Sequence, residues 1–306
     1  LLVQQANQGQ RVVDNTFLDL ETYPFVTDLD PEAHGVGAFV TIQKGCDNRC
    51  TYCIVPNTRG GEVSRPGEQI LDEVRAVVAR GVQEITLIGQ NVNSYGLKTG
   101  GTTFAQLLHD VAAIDGVERI RFTTSHPRDM GDDVVQAYSD LPCLTSHLHL
   151  PVQSGSNRVL RRMKRFYTRE HFLTVVNKLR RARPDITITT DFIVGFPGEG
   201  DEDFEQTLQL MDEADIVGSF SFKYSPRPGT PALRLKDLIP NEISAKRLTI
   251  LQYKQRERST AWVASHIGRQ VSVLVDGPSR HDEGVICGRT STNLTVNFPG
   301  TVDLMG

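Results

Sequence analysis

Apolar positions along the chain switch between two periods, and from Gly35 onward the switching is regular. Residues 38–42 form a short, mainly apolar run of the kind a buried strand shows. Ile70, Val74, Val77 and Val78 then fall at helical spacing in a segment that stops at Gly81, a residue suited to the position just past a helix end. Residues 85–88 read as the next strand. The pattern continues with helices over 104–113, 132–139, 169–182 and 202–213, between strands over 119–123, 147–151, 186–194 and 218–224. Six strands with helices between them predict a parallel sheet wound as βα units. Because such crossovers are right-handed, six units close into either a doubly wound sheet or an incomplete barrel.

The strand ends choose between these. Each is followed by a polar or glycine-rich tag: Gly45-Cys46, Gly89-Gln90-Asn91, Ser125-His126-Pro127, Gln153-Ser154-Gly155, Gly195 to Glu199, and Ser225 to Gly229. Turning alone needs such residues, but six tags in register suit a barrel mouth, whereas a doubly wound sheet gathers its site at one switch point. The predicted fold is therefore α/β, an incomplete six-stranded (βα) barrel over 35–239. Residues 240–267 read as one long connecting helix, with Arg247, Lys254, Arg256 and Arg258 on a solvated face. Beyond Gly268 the texture turns to short alternating strands, a small all-β domain that reaches Gly306 before enough strands have appeared to close it. Leu1 to Gln10 reads as the tail of a helix, so 1–34 is expected to be a linker or the remnant of a preceding domain.

Composition narrows the class. With 39% hydrophobic and 23% charged residues, disorder and collagen are excluded. The apolar runs fall short of the roughly 18 residues a membrane span requires, and no signal peptide opens the chain, so a cytoplasmic monomer with no membrane partner is expected. The net charge of −4 argues against a protein that works mainly as a basic glove for nucleic acid, although local patches can still bind one.

Cysteine usage changes the picture most. Cys143 and Cys287 stand apart and read as small, partly buried apolar residues, whereas Cys46, Cys50 and Cys53 lie within eight residues, straight after the first strand. Three clustered thiols in a reducing compartment point to metal or redox chemistry. A tetrahedral zinc site would need a fourth ligand, and no second cysteine pair exists to supply it. A 4Fe-4S cluster accommodates three thiolates at such spacing and leaves one iron without a protein ligand, a place for chemistry.

The C-x3-C-x2-C motif in this loop, with Tyr52 before the third cysteine, resembles that of the radical S-adenosylmethionine enzymes. The resemblance implies that the free iron chelates S-adenosylmethionine, whose reductive cleavage releases a hydrogen-abstracting deoxyadenosyl radical, so that no protein side chain need be catalytic. The similarity extends through Thr58-Arg59-Gly60, Glu62 to Pro66, Gly89 to Asn93, Thr123 to Pro127, Leu148 to Ser156, Asp191 to Glu199 and Pro226 to Pro231. Together these resemble the methylthiotransferases of that superfamily, and specifically those acting on carbon two of isopentenyladenosine beside the tRNA anticodon. That family implies an RNA-binding TRAM-like domain over 268–306, an electron donor of flavodoxin or ferredoxin type, and a sulfur source. It also implies a second 4Fe-4S cluster held by three cysteines of an amino-terminal domain. Those cysteines are not in this sequence, so sulfur insertion by this piece alone is not expected. Methylthiolation of a ribosomal-protein aspartate or of threonylcarbamoyl-adenosine tRNA, and a non-catalytic iron-sulfur RNA-binding factor, stay open as alternatives.

The resemblance also implies residue roles. Tyr52 and Ile193 would lie against the adenine, Gly195 would let the backbone approach it, and Asp191 and Glu199 complete the fifth-strand pattern. Gln90, Ser125 and Gln153 are polar groups suited to holding methionine or ribose. Arg158, Arg161, Arg162 and Arg165 are spaced to share one face if their stretch is helical, either solvated or a phosphate-binding ridge; Arg165 would alternatively grip the S-adenosylmethionine carboxylate. Lys223 and Arg227 near the sixth strand's end would face the same substrate, Phe196 would stack on an extruded base, and His126 reads as an ordinary loop histidine.

Overall fold

The computed structural model describes residues 35–98, 100–279 and 284–306; the expected remnant over 1–34 lies outside them. Six parallel strands carry the architecture: β1 (Gly37–Thr41), β4 (Glu84–Ile88), β5 (Arg119–Phe122), β6 (His147–His149), β7 (Thr187–Val194) and β8 (Ile216–Lys223). A two-stranded ribbon, β2 (Gln43–Lys44) with β3 (Val63–Ser64), brackets the cysteine loop. β1, β4 and β5 pair in that order, as do β6, β7 and β8. The two sheets are joined at Ile120, whose N–H donates to the Cys143 carbonyl at 2.8 Å and whose carbonyl accepts from Thr145 at 3.0 Å. Among the described residues no pairing joins β8 back to β1.

Helices form where the apolar spacing placed them at α1 (Gly67–Val78), α2 (Phe104–Ala112), α3 (Asp132–Asp140), α5 (Arg169–Ala182) and α6 (Asp201–Glu213); α4 (Asn157–Arg162) forms in the arginine stretch whose helicity the sequence left open, and α7 (Asn241–Ala264) is the long connecting helix. Thr103, Ser156 and Thr168 cap three of them by accepting from a backbone N–H three residues on. The core lies between strands and helices, where Val40, Ile85, Leu87, Ile120 and Ile188 meet Ile70, Val74, Leu107, Leu108 and Val176, all fully buried. β7 shows the division within one strand. Ile188, Phe192 and Val194 are fully buried, while Thr189, Asp191 and Ile193 point to the opposite, half-buried face.

α7 corrects the expected solvated face. Arg247 is buried and grips the Glu199 carboxylate at 2.8 Å, Lys254 pairs with Asp212, and Arg258 pairs with Asp212 and Asp215; Arg256 alone of the four is exposed. The helix covers β8, with Arg258 donating to the Ile216 carbonyl and Ser259 to that of Val217.

An antiparallel sheet follows, β9 (Val273–Pro278), β10 (Val285–Thr290) and β11 (Thr295–Pro299), in the order β11-β10-β9. It docks at the amino-terminal ends of the parallel strands. Arg119 and Arg121 donate to the carbonyls of Arg289 and Thr290, the Ser146 N–H to Ser291, and Thr187 to the Thr292 carbonyl. Glu84, buried at the start of β4, takes Arg121 at 2.8 Å and Arg289 at 3.1 Å.

Candidate active site

The cysteine loop leaves β2 at the opposite, carboxyl-terminal end of the strands and is tied down on all sides. Gly45 adopts φ +71, and a Cβ there would lie 2.0 Å from the Gly61 carbonyl oxygen, so only glycine fits the turn. Its N–H donates to Gln90 Oε1 at 2.6 Å, which makes Gln90 a brace for the loop. The Cys46 N–H donates to the Gly60 carbonyl, the Cys53 N–H to that of Cys50, and the Thr51 N–H to that of Met163 at 2.9 Å. Gln43, which the sequence reading missed, is fully buried and accepts from the backbone of Gln90 and Asn91, locking the second strand end to the first.

Cys50 is buried and Cys46 and Cys53 are half-buried. Burial, reinforced by the neighbouring sulfurs, pushes the Cys46 thiol up to about 11 and raises that of Cys53. Such a site needs a bound cationic centre to hold thiolates. Among the described residues no group of three or more His, Cys, Asp or Glu converges on a single ion. A cuboid cluster offers each thiolate its own iron, so the sulfurs need not converge, and the all-sulfur donor set fits it.

Arg165 lies beneath the loop, buried, with Nη1 3.5 Å from Cys50 Sγ, Nη2 donating to the Pro151 carbonyl at 2.7 Å and Nε to the Tyr167 hydroxyl at 3.0 Å. All three nitrogens are engaged within the protein, so it supports the cysteine loop and is not poised to grip a carboxylate. α4 ends at Arg162, and Lys164 and Phe166 turn left-handed at φ +55 and +57, which carries Arg165 off the helix face it was expected to share.

A cavity of about 390 Å³ gathers six of the residues singled out from sequence: Tyr52, Gln153, Asp191, Ile193, Lys223 and Arg227. That volume is in the range of small-molecule sites. Gln153 is a non-glycine residue at φ +75, held there because its N–H donates to the Asp191 carbonyl and its carbonyl accepts from the Ile193 N–H. Its backbone is spent on β7, and the residue lines the cavity. Asp191 lies 3.4 Å from the ring Nε2 of His149, whose other nitrogen meets Thr189; sequence reasoning assigned His149 no role. Ser125 follows Thr124 at φ +67, is 4% exposed, and its hydroxyl has no hydrogen-bond partner among the described residues. An orphaned buried hydroxyl at a strand end fits a bound polar ligand.

Other expectations are corrected. Phe196 is fully buried between Tyr52 and Tyr224, at centroid distances of 6.4 and 5.2 Å, and packs on Val159 and Met163, so it has no free face for a base. Gly195 is required by α7, since a Cβ would meet Ser244 Oγ at 2.1 Å, and its N–H donates to Glu199. Arg158 is paired with Asp203 and donates to the Gly198 carbonyl, and Arg162 is bound to Asp237 and the Pro197 carbonyl, so neither forms a free ridge; Arg161 is exposed. Lys223 also donates to Asn241. His126 is buried, and burial with the nearby Arg165 and Arg128 lowers it to about 2.

Residues 40–211, more than half of the chain, match the Radical SAM superfamily, and the chain belongs to it. As a member it binds a 4Fe-4S cluster and S-adenosylmethionine. It is 47% identical to the tRNA-2-methylthio-N(6)-dimethylallyladenosine synthase of Actinobacillus succinogenes, over 100% of this chain and 65% of that protein. It is 49% identical to the enzyme of that name from Escherichia coli O139:H28, over 96% of this chain and 62% of that protein. The chain thus spans a little under two thirds of the length of these relatives. Among solved structures it resembles the radical S-adenosylmethionine methyltransferase TsrM of Kitasatospora setae, with a TM-score of 0.54 and 17% identity over 64% of this chain and 38% of that one. It also resembles coproporphyrinogen III oxidase (HemN) of Escherichia coli, with a TM-score of 0.52 and 18% identity over 84% and 60%. At such identities the likeness is one of fold.

Proposed function

We propose that the chain is the radical core of a tRNA methylthiotransferase that modifies carbon two of N6-dimethylallyladenosine beside the anticodon. The observation that carries this is the 47–49% identity to synthases of that name, extending over 96–100% of the chain. On this reading the six strands are a barrel open between β8 and β1, 240–267 connects it to a TRAM-like RNA-binding sheet over 268–306, and 1–34 leads from a further domain. That domain would carry the second 4Fe-4S cluster with the sulfur to be inserted. A flavodoxin- or ferredoxin-type donor would supply electrons and a separate source the sulfur. The reading makes the protein a cytoplasmic monomer; all five cysteines stand unpaired, as a reducing compartment keeps them.

Each residue has a task. Cys46, Cys50 and Cys53 would each hold one iron, with the Arg165 guanidinium stabilising the Cys50 thiolate. Tyr52 and Ile193 offer apolar walls for an adenine, and Gln153, Asp191 and Ser125 offer hydrogen bonds for ribose or methionine. When bound, the cluster and S-adenosylmethionine supply the hydrogen-abstracting radical that an unactivated ring carbon requires. Half-buried Tyr52 and Ile193 keep water from the adenosyl end.

Anaerobic reconstitution, reduction with S-adenosylmethionine, and nucleoside mass spectrometry of tRNA test the reading. Release of 5′-deoxyadenosine is expected from this chain. Methylthio-dimethylallyladenosine is expected only when the domain with the second cluster is present. Modification confined to a protein aspartate would overturn the substrate while leaving the radical chemistry in place.

A further inference from the structure

Residues 157–169 carry six cationic side chains and no acid, in a chain whose net charge is −4. Four of the six are tied within the fold: Arg158 by Asp203, Arg162 by Asp237, Arg169 by Glu213, and Arg165 by Tyr167 and the Pro151 carbonyl. Arg161 and Lys164 differ. Both are exposed, and neither makes an ion pair or side-chain hydrogen bond among the described residues. They line a cavity of about 260 Å³ together with Phe166. The nearby Glu170 carboxylate is taken up by two hydrogen bonds from the Asn157 amide.

Phe166 is the unusual member. It is 63% exposed and sits at φ +57, two residues after Lys164 at φ +55. A bulky side chain in the left-handed region crowds its own backbone, a cost glycine does not bear. The chain therefore holds an aromatic ring in water, in a conformation that opposes it, where burial gives little in return. The same turn supports the cluster loop, since the Met163 carbonyl accepts from the Thr51 N–H at 2.9 Å and Arg165 reaches Cys50.

We propose that Phe166, Arg161 and Lys164 form a docking platform for a single-stranded stretch of the RNA substrate, with an unstacked base on the Phe166 ring and the flanking phosphates on the two cations. The inference rests on the tRNA reading above and adds where the loop is gripped. Every base has a face that stacks on an aromatic ring, and unpaired loop nucleotides are the ones free to do so. Arg161 and Lys164 supply the charge that meets the backbone on either side. A loop held here has its next nucleotides beside the turn that carries the cysteines.

The test is an equilibrium titration of the chain with a fluorescent anticodon stem-loop RNA, which needs no cofactor. Phe166→Gly suits the left-handed backbone, so its thermal midpoint should hold or rise while affinity falls about ten-fold, within the range of lost base stacking. Phe166→Trp should keep the wild-type affinity. Changing Arg161 and Lys164 to Ala together should flatten the dependence of log affinity on log salt by about 0.7 for each phosphate contact removed. Wild-type affinity in Phe166→Gly, with an unchanged salt slope in the double variant, would overturn the platform and leave the tRNA reading standing. Failure of the wild-type chain to bind the stem-loop at all would overturn both.

Discussion

The two ends of the parallel strands are built on opposite terms. At the amino-terminal end Glu84 holds two guanidiniums, Arg289 also takes Asp276 at 3.0 Å, and the 290–292 turn accepts hydrogen bonds from three strand starts. At the carboxyl-terminal end the backbone is left-handed at Gly45, Thr124, Gln153 and Gly195, a hydroxyl at Ser125 lacks a partner, and a cavity stays open. One end is closed by a docked sheet and its ion pairs; the other keeps a cavity open among left-handed turns and an unpartnered hydroxyl. The difference separates a braced end from the end that carries the candidate site, the arrangement of barrels whose sites sit at the carboxyl ends of the strands.

Substitution at each end should separate the two roles. The largest effect is expected at the mouth. Cys50→Ala should drop iron well below the roughly four atoms per chain of a full cluster and abolish 5′-deoxyadenosine formation. Cys143→Ala and Cys287→Ala should leave both untouched. Iron content retained in Cys50→Ala would remove the cluster from this loop.

At the closed end, Glu84→Ala would strand the buried Arg121 beside Arg289 and should cost about 3 kcal/mol in urea unfolding. Folded protein that survives should still bind iron. A loss under about 0.5 kcal/mol would mean that the network is ornamental.

Acid probes both ends at once. His126 near the mouth and His147 at the start of β6 are each lowered chiefly by burial, to about 2 and about 3, with Arg165 and Arg128 adding at His126, and Arg121, His149 and Arg289 at His147. Folded histidines stay neutral while unfolded ones protonate below about 6.5, so the unfolded state binds more protons there and stability falls as pH drops from 6.5 towards 3. Between pH 7.5 and 5.5 each should cost about 1.4 kcal/mol. His126→Asn should flatten the pH dependence by its share; an unchanged slope would show that His126 does not titrate on unfolding.

The smallest effect is expected at Ser125. Ser125→Ala removes an orphaned hydroxyl, so stability should hold or rise slightly, while S-adenosylmethionine affinity falls by about 1 kcal/mol, some five-fold. Unchanged affinity would make Ser125 part of the scaffold.

The six strands, the helices between them and the cysteine loop were legible in the chain because each depends on local information: apolar period, turn residues and close spacing of three thiols. Element ends shifted by up to about three residues, a little beyond what fraying makes usual. What the chain could not disclose was pairing across distance. Arg158, Arg162 and Arg247 look in sequence like solvated cations, and their acids lie 45, 75 and 48 positions away. Phe196 looks like a free aromatic until Tyr52 and Tyr224 close on it. The exposure of Phe166 and the orphaned state of Ser125 likewise belong to the assembled molecule. The sequence by itself determined the six strands, most of the helices between them and the loop that carries three sulfurs, since those are properties of neighbouring residues. Only the tertiary structure decided which charges are neutralised and which polar atoms are left for a ligand, because burial and partnership exist only once distant segments are packed together.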